Sequence, residues 1–273
     1  MSHRNSAGSS EPGLQQVALN HAVYESPGVY RRYLYLELLP PEFACLLKYQ
    51  PDVSGRDVLD VGVGAGRTTR YIAPLARRYE GVDYSSVMVQ YMKSAMPEIS
   101  VRQAAFQDLS VFEDASFDVV LALDNVIDTL SHECRLQALS EASRVLRLGG
   151  MLAIASHNIR YKKAYSGPQL AWCPDPVRLA WRFGRYLFCW WNYLRLKRLR
   201  RTTPEYALIN DGGHHFTLLH YYLSRRAMTS QLQSLGFQLE DVFNTVGRPV
   251  PEGADDSENY SLLYVARRVG PER

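Results

Sequence analysis

The hydrophobic positions of the chain fall into short apolar runs separated by segments of helical period. Within the first 156 residues, five apolar or β-branched runs are predicted as strands. They lie at 57–61, 79–82, 100–105, 117–123 and 151–155. The run at 117–123 is apolar except for Asp118, which is typical of a strand whose sheet is covered on both faces. This alternation predicts a doubly wound α/β fold with a mostly parallel, Rossmann-like sheet.

The pattern is interrupted over 157–223 and resumes near the C-terminus. A predicted helix at 224–235 and strands at 237–242 and 260–266 complete a seven-stranded sheet with helices on both faces. We therefore predict one divided domain, 51–156 with 224–268, and a helical cap at 157–223 inserted after the fifth strand. Residues 14–50 are predicted as an N-terminal helical cover, and the polar residues 1–13 as a disordered tail.

Composition narrows the class of protein. The chain is 46% hydrophobic and 22% charged, the balance of an ordinary globular protein. Its four cysteines form no C-x-x-C pair, so neither a disulfide framework nor a zinc ribbon is indicated. Residues 1–13 lack the apolar segment of a secretory signal, and the longest apolar run, 186–191, is too short for a membrane span. We therefore expect a cytoplasmic protein, and the oligomeric state stays open.

The most informative stretch is a glycine-rich turn after the first predicted strand. Asp60 opens a pattern in which every second residue is glycine, at Gly62, Gly64 and Gly66. Glycine permits positive φ angles and a close approach of the backbone to a ligand. The third glycine of the dinucleotide fingerprint would fall at position 67, where the chain has Arg. A phosphate-binding P-loop is excluded as well, because no Gly-Lys-Ser/Thr follows.

Further features in the same order strengthen this signal. Asp83 ends the second predicted strand, where a carboxylate can accept hydrogen bonds from two ribose hydroxyls. Asp60 precedes the glycines and can receive an ammonium group, and Gly149-Gly150 leads into the fifth strand after a helix. Together these features resemble the class I S-adenosylmethionine-dependent methyltransferases. The resemblance covers about residues 50–157 and the last fifty residues.

The resemblance implies that S-adenosylmethionine is the cofactor, and it implies roles for individual residues. The three glycines would wrap the amino-acid and ribose end of the cofactor. Asp60 would lie near the methionine ammonium group, and Asp83 would hold the ribose 2′- and 3′-hydroxyls. The remaining implied cofactor residues are Tyr84 and Met88 beside the adenine, Ala105 and Phe106 after the third strand, and Asp124 and Asn125 at the sulfonium end.

One departure from the family concerns the adenine. Many members carry Gly-Asp-Ala after the third strand, where the Asp accepts a hydrogen bond from the adenine amino group. The corresponding residues here are Ala-Ala-Phe-Gln-Asp over 104–108. We expect Phe106 to cover the adenine face and either Gln107 or Asp108 to make the polar contact.

The acceptor is expected beside the ends of the fourth and fifth strands. Asp128 follows the fourth strand and is a candidate to orient or deprotonate the acceptor. His157 and Asn158 follow the fifth strand, where histidine can act as a base near neutral pH and asparagine can bind substrate. A structural alternative stays open for each: Asp128 as a helix-start acid, and His157 with Asn158 as a pair that pins a loop.

Aromatic and histidine side chains are candidates for the wall of the substrate pocket. We select Tyr24, Tyr33, Trp172, His215, Tyr221 and Tyr222. Such a wall would enclose a small molecule and stabilise a sulfonium by cation–π contact. His214, His215 and His220 lie close in sequence, but neighbouring residues of a strand point to opposite faces, so no metal site is expected.

The predicted cap is compositionally distinct. Between residues 160 and 203 the sequence has eleven Lys or Arg and one acid, Asp175, which gives +10 in a chain of net charge +3. All four tryptophans lie there, and 178–201 is predicted as an amphipathic helix with an arginine stripe opposite an apolar stripe. Three uses stay open: packing over the pocket with the arginines in solvent, binding of an anionic acceptor or acidic carrier protein, and docking on an anionic membrane surface. Nucleic acid is not expected, because no recognition motif accompanies the modest net charge.

The sequence therefore predicts transfer of a methyl group from S-adenosylmethionine to oxygen or nitrogen of a small molecule. Two alternatives stay open. An enzyme of this fold can turn the amino group of the cofactor onto its own side chain and release methylthioadenosine. The chain can also be a binding protein that keeps the fold without catalysis.

Overall fold

The computed structural model describes residues 12–34 and 37–270, so the predicted tail at 1–13 lies outside the described residues except for its last two. The helices are α1 (Pro12–Tyr24), α2 (Pro40–Val53), α3 (Thr69–Ile72), α4 (Ser86–Ala95), α5 (His132–Val145), α6 (Pro176–Leu196) and α7 (Arg225–Ser234). The strands are β1 (Asp57–Val61), β2 (Arg78–Asp83), β3 (Ser100–Gln103), β4 (Phe117–Ala122), β5 (Leu146–Asn158), β6 (Arg201–Thr202), β7 (Tyr206–Ile209), β8 (His220–Leu223), β9 (Phe237–Phe243) and β10 (Ser261–Arg268).

The central sheet has the order β3-β2-β1-β4-β5, followed by β10 and β9 on the far edge of β5. The first five strands pair in parallel, whereas β10 is antiparallel to both β5 and β9. This arrangement confirms the predicted doubly wound, mostly parallel α/β fold. It also places the carboxyl ends of β1, β2, β4 and β5 along one edge of the sheet, where ligands of such sheets bind.

Both faces of the sheet are covered, as the apolar run of β4 predicts. Successive residues of a strand point to opposite faces, so Val119 and Val120 enter different cores. Val119 packs with Cys45 of α2, and Val120 packs with Leu139 of α5. The exposure of Val119, Val120 and Leu139 is 0%, which accounts for the apolar residues in the middle of this strand.

The prediction of a seven-stranded sheet with a helical cap is wrong in one respect. Three further strands, β6, β7 and β8, come from the segment 157–223 and extend the sheet. The last of them, β8, runs parallel to the end of β5 and pairs through His157 with Tyr222 and through Asn158 with Leu223. Strands of two to four residues carry too little periodicity to be separated from loops by pattern alone. Of the three, β8 pairs with β5, β7 pairs with β8, and β6 pairs with β7.

The glycine pair before the fifth strand has a different role from the predicted end of a helix. Helix α5 ends at Val145, and Gly149 and Gly150 lie inside β5, where its register with β4 shifts. A Cβ at position 150 would lie 2.8 Å from the carbonyl oxygen of Arg147. Glycine is therefore required for the bulge that turns β5 into the sheet.

Helix α1 crosses the ligand-binding edge of the sheet. The Asn20 side-chain amide donates to the carbonyl oxygens of Thr129 and Leu219, each at 2.8 Å. The Gln16 amide donates to the carbonyl of Leu130 at 3.0 Å. These buried bonds attach the N-terminal helix both to the loop after β4 and to the segment before β8.

Helix α6 presents its apolar side to solvent. Asp175 caps its first turn by accepting from the backbone N–H groups of Val177 and Arg178, and Asn192 and Leu196 are its buried residues. One of the three predicted uses placed the apolar stripe on the protein and the arginines in solvent. Arg178, Arg185, Arg195 and Arg198 are exposed, but Phe183, Leu187 and Leu194 of the apolar stripe are exposed as well. The side toward the protein is mixed: Leu179 and Trp190 are half-buried there, Arg182 donates to the carbonyl of Trp172, and Asn192 donates to that of His215. An amphipathic pattern identifies two faces of a helix but does not say which one meets the protein.

No helix in the described part of the chain combines the length and apolarity needed to cross a bilayer.

Candidate active site

Two adjoining cavities lie at the carboxyl ends of β1, β2 and β4. The first has a volume of about 330 Å³ and the second about 270 Å³. Gly62, Asp83, Tyr84, Val126 and Thr129 line both, so the two cavities form one cleft. Most of the predicted cofactor residues border this cleft, and of the predicted acceptor residues His157 does.

The glycine turn forms the floor of the cleft. Gly62 and Gly64 have φ angles of +76° and +54°, the left-handed region that favours glycine. A Cβ at Gly62 would overlap the Val126 side chain, whereas no heavy atom lies within 4 Å of a Cβ built at Gly64. The backbone at Gly64 therefore borders open space, as close approach to a ligand requires.

Asp83 lies at the junction of the two cavities. One carboxylate oxygen accepts from the backbone N–H of Gly64 and the other from that of Ser85, both at 2.9 Å. Burial raises the pKa of this carboxyl to about 6, although the two hydrogen bonds favour its ionised form. The turn and the acid are thus bonded to each other and act as one unit.

Asp60 lies beneath the turn and lines the second cavity. Its Oδ2 accepts hydrogen bonds from the hydroxyls of Thr68 and Tyr79, both at 2.7 Å. Burial raises its pKa to about 6, against the effect of these bonds. A cation placed beside Asp60 would favour the ionised carboxylate, which fits the ammonium group that the resemblance assigns to it.

A buried ion pair supports the same end of the cleft. The Arg67 guanidinium donates to both carboxylate oxygens of Glu42 on α2, and its Nη2 lies 3.8 Å from Asp124 Oδ2. Arg67 and Asp124 line the second cavity, and Asp124 has a left-handed φ of +53°. From the sequence, the one sign of Arg67 was that it replaces a glycine of the dinucleotide motif.

The first cavity has the character of a site for a heteroaromatic ring. Ala105, Phe106, Gln107 and Tyr84 line it, and α1 contributes Asn20. The Tyr84 hydroxyl and Gln107 Oε1 are buried without a hydrogen-bond partner among the described residues. Buried polar atoms are normally satisfied, so this pair indicates a ligand with polar edges.

Two further predicted cofactor residues line the second cavity, and one of them, Met88, was expected beside the adenine instead. Met88 lines the second cavity and not the one that holds Phe106. Asn125 lines the second cavity, and its Oδ1 accepts from the Ser261 hydroxyl at 2.5 Å. Asn125 has a φ of +60°, so the loop after β4 turns sharply at this point.

The acceptor end of the cleft contains a stacked pair of histidines. The His157 and His220 rings lie 5.1 Å apart between centroids with an interplanar angle of 24°. His220 Nδ1 is 2.8 Å from Asp211 Oδ2, which also accepts from the Tyr222 hydroxyl at 2.6 Å. Burial lowers the pKa of His220, but the attraction and hydrogen bond of Asp211 outweigh it and raise the pKa above its ordinary value.

Asp128 does not face the cleft, so it cannot contact an acceptor directly. Its carboxylate is fully enclosed and accepts from Arg135 Nη1 at 2.7 Å, the Ser156 hydroxyl at 2.6 Å and the backbone N–H of His157 at 2.6 Å. The Nδ1 atom of His157 also lies 2.8 Å from Asp128 Oδ2, although at an angle unsuited to a hydrogen bond. Asp128 therefore fixes the position of His157.

Asn158 also lies away from the acceptor. Its side-chain amide donates to the carbonyl of Asp256 at 2.8 Å, and its Oδ1 accepts from the backbone N–H of Arg160 at 3.0 Å. Asn158 is buried and does not line the cleft. The loop-pinning alternative describes Asn158, whereas His157 does line the second cavity.

Of the predicted substrate residues, Tyr24 and Tyr33 line the second cavity. Tyr222 stands behind it, stacked on His157 at 4.6 Å. Tyr221 does not reach the cleft, because alternation along β8 points it into the opposite core, where it stacks on Tyr206.

Trp172 and His215 also lie outside the cleft. Trp172 is 76% exposed beside α6, and His215 lines a separate cavity beneath that helix. The neighbouring His214 takes its place in the cleft, because left-handed φ angles of +47° and +61° at 214 and 215 form a tight turn in place of a strand. Burial, with the nearby Arg32 charge, lowers the pKa of His214 to about 4, and the Tyr33 hydroxyl lies 2.9 Å from its Nε2.

His157, Asp211 and His220 also place one possible metal ligand each within 4.8 Å of one another. A cation there would have to replace the existing hydrogen bond between Asp211 and His220. Asp211, His214, His220 and Arg67 were not among the site residues predicted from the sequence. The first three cluster around the pair Gly212-Gly213, and that clustering was their signal.

Comparison with known proteins agrees with this geometry. Residues 58–150 match the family model of a methyltransferase domain. A probable S-adenosylmethionine-dependent methyltransferase of Mycolicibacterium smegmatis is 37% identical over 105 residues, which cover 38% of this chain and 39% of that protein. A demethylmenaquinone methyltransferase of Tropheryma whipplei is 32% identical over 119 residues, 40% of this chain and 45% of that protein. The matches thus span less than half the length of these relatives.

The fold extends further than the sequence match. The crystal structure of Burkholderia thailandensis 1,6-didemethyltoxoflavin-N1-methyltransferase, with bound 1,6-didemethyltoxoflavin and S-adenosylhomocysteine, superposes with a TM-score of 0.60. It is 14% identical, and the match covers 99% of this chain and 94% of that one. The segment 58–150 therefore matches a methyltransferase domain, and the chain as a whole shares the fold of this methyltransferase structure.

Proposed function

We propose that this protein transfers a methyl group from S-adenosylmethionine to an oxygen or nitrogen of a small molecule. The observation that carries the proposal is the continuity of the cleft. Its glycine-turn end meets Asp83 and Asp60, and its other end is bordered by His157 and His220. A donor site and a site with titratable groups thus share one enclosed space.

The residues present fit the cofactor. Asp83 would hold the ribose hydroxyls, Asp60 the ammonium group, and the unpartnered polar atoms of Tyr84 and Gln107 the adenine edge. When bound, the cofactor supplies an activated methyl group on a sulfonium. The protein then has to orient the acceptor, exclude water and remove a proton where the acceptor arrives protonated.

His220 is positioned to act as the base. Asp211 binds its Nδ1, which favours the tautomer with the proton on Nδ1 and the lone pair on Nε2. Because the pKa of His220 is raised, its imidazole loses its proton, and so becomes a base, only at pH values above the ordinary pKa of histidine. We therefore expect activity to rise with pH through a value above 6.5.

His157 has a different part in this proposal. It is fixed by Asp128 through its backbone N–H, and it stacks on both His220 and Tyr222. This places a rigid ring against the acceptor side of the cleft. We assign it to orienting the acceptor beside the base.

The first experiment asks whether the cofactor binds and what it becomes. Calorimetry should show binding of S-adenosylhomocysteine to the folded protein, with loss of affinity in Asp83→Ala. Incubation with S-adenosylmethionine and a panel of phenols, carboxylates and amines should yield S-adenosylhomocysteine. Formation of methylthioadenosine would support cyclisation, and absence of any binding would support a non-catalytic protein.

The second experiment separates binding from proton transfer. With an accepted substrate, His220→Asn should lower kcat about 10²–10⁴-fold, with affinity for S-adenosylhomocysteine unchanged. His215→Asn is the matched control, because that ring lies outside the cleft. Asp211→Asn should move the rise of the pH–rate profile to lower pH, because it removes the group that raises the pKa of His220. An unchanged profile would contradict the assignment of the base.

A further inference from the structure

The outward side of α6 is an apolar surface without a partner. We define the outer face of α6 by seven residues that are 48–78% exposed. They are Val177, Trp181, Phe183, Leu187, Phe188, Trp191 and Leu194. At 100° per residue these positions share one side of the helix, and the buried residues Asn192 and Leu196 lie outside it. A contiguous exposed apolar surface of this kind marks an interaction site.

The outer face is surrounded by positive charge. The sequence has no acid between Asp175 and Glu205, while the segment 160–203 carries +10. The Arg185 guanidinium lies 5.1 Å from the centre of the Trp181 ring, and that of Arg195 lies 4.8 Å from the centre of the Trp191 ring. Each outward tryptophan is thus paired with an arginine whose charge lies beside the apolar surface.

We propose that the outer face of α6 docks this protein on an anionic lipid bilayer. Tryptophan is enriched at the level of the lipid headgroups, and arginine beside it can reach the lipid phosphates. A helix with a wide apolar side, flanking basic residues and no capacity to span lies in the plane of the membrane with its apolar side inserted. The charge of the segment is complementary to that surface.

Charge also distinguishes the bilayer from a second copy of the chain. Pairing two outer faces would bring Arg185 and Arg195 of both copies together with no acid on either helix after its cap. An anionic surface neutralises those charges when it covers the apolar side chains. The bilayer therefore matches both properties of the face, whereas a second copy of the chain matches only one.

The docked helix is also linked to the cleft. Asn192 donates to the carbonyl of His215 at 3.1 Å, and the Phe188 ring lies edge-on to the His215 ring with centroids 6.4 Å apart. His214, the next residue back, lines the cleft. A membrane on the outer face would thus lie one helix and one turn away from the acceptor end of the cleft.

The test is a flotation assay of the full chain with vesicles. The protein should float with vesicles of phosphatidylcholine and phosphatidylglycerol and not with phosphatidylcholine alone, and added salt should weaken the binding. Replacement of Trp181 and Trp191 by Ala should reduce the bound fraction at least about tenfold. Tryptophan fluorescence of the unaltered chain should shift to the blue and be quenched by brominated lipid.

The matched control removes apolar area from another exposed helix. Phe43 and Leu47 of α2 are 54% and 65% exposed, and their double replacement by Ala should leave vesicle binding unchanged. Circular dichroism and affinity for S-adenosylhomocysteine should be the same in all variants, so loss of docking is separable from loss of the fold or of the proposed catalysis.

Three results would overturn the proposal. They are equal binding to neutral and anionic vesicles, equal losses in the α2 and α6 variants, and a dimer in sedimentation that Trp191→Glu dissociates. The last result would identify a second copy of the chain as the occupant of the outer face.

Discussion

The carboxylate of Asp128 provides the sharpest test of how the acceptor end of the cleft is held. Asp128 and Arg135 are an ion pair whose side chains are both fully buried, at 2.7 Å. The same carboxylate accepts from Ser156 and from the backbone of His157. In Asp128→Asn, one carboxylate oxygen becomes an N–H₂ group, and the Arg135 charge stays buried without its counter-charge.

The expected loss of stability follows from this arrangement. Removing one partner of a fully buried ion pair costs about 3–5 kcal/mol, because the other charge stays desolvated. Arg135→Met should cost a similar amount, since it leaves Asp128 unpaired. The double variant should lose less than the sum of the two single losses, because neither charge then stays buried alone.

Urea denaturation followed by circular dichroism measures these losses. Asp255→Asn is the control, because Asp255 pairs with Arg160 at 2.9 Å with side chains that are 70% and 50% exposed. Screened surface pairs contribute little, so its unfolding midpoint should not move. Losses below about 1 kcal/mol in both single variants, or strict additivity in the double variant, would refute the reasoning about a buried, coupled pair.

Two further predictions concern the cofactor end. Gly62→Ala should lower the free energy of unfolding, measured by urea denaturation, by about 1–3 kcal/mol more than Gly55→Ala does. Both glycines have positive φ, but only at Gly62 would the new Cβ overlap the Val126 side chain. Equal losses in the two variants would contradict the overlap. Burial raises the pKa of Asp83 to about 6, so about one tenth of this carboxyl is ionised at pH 5. The affinity for S-adenosylhomocysteine, measured by calorimetry, should therefore fall about tenfold between pH 7 and pH 5. In Asp83→Asn the affinity should depend less on pH. An unchanged affinity at pH 5 would mean that the ionised form of Asp83 is not required.

The central fold could be predicted because each of its strands has a local signal. The strand before the glycine turn, the acid at Asp83 and the apolar run of β4 are determined by nearby sequence. The helix start at Ser85 is another example, since its hydroxyl accepts from the backbone N–H of Met88 as an N-cap residue does. Such features need no knowledge of distant contacts.

The acceptor end could be predicted only in part, because its geometry depends on residues far apart in sequence. His157 was selected for its position after a strand, but its partner His220 belongs to a strand that exists through pairing with β5. Tyr221 was selected for its type, and the phase of β8 turns it away. The orientation of α6 likewise depends on a contact distant in sequence, the hydrogen bond from Asn192 to the carbonyl of His215.

The attachment of the insert to the long strand β5 bears on how such proteins acquire new substrates. Two residue pairs, His157 with Tyr222 and Asn158 with Leu223, join β8 to the strand that also completes the cofactor half. The matched segment 58–150 ends before this junction. The segment that follows can be exchanged or can diverge with little effect on the donor side of the cleft, provided that those pairs keep their register and that the carbonyl of residue 219 still accepts from Asn20 of α1. Chimaeras that transplant residues 159–221 alone would leave both residue pairs between β5 and β8 in place.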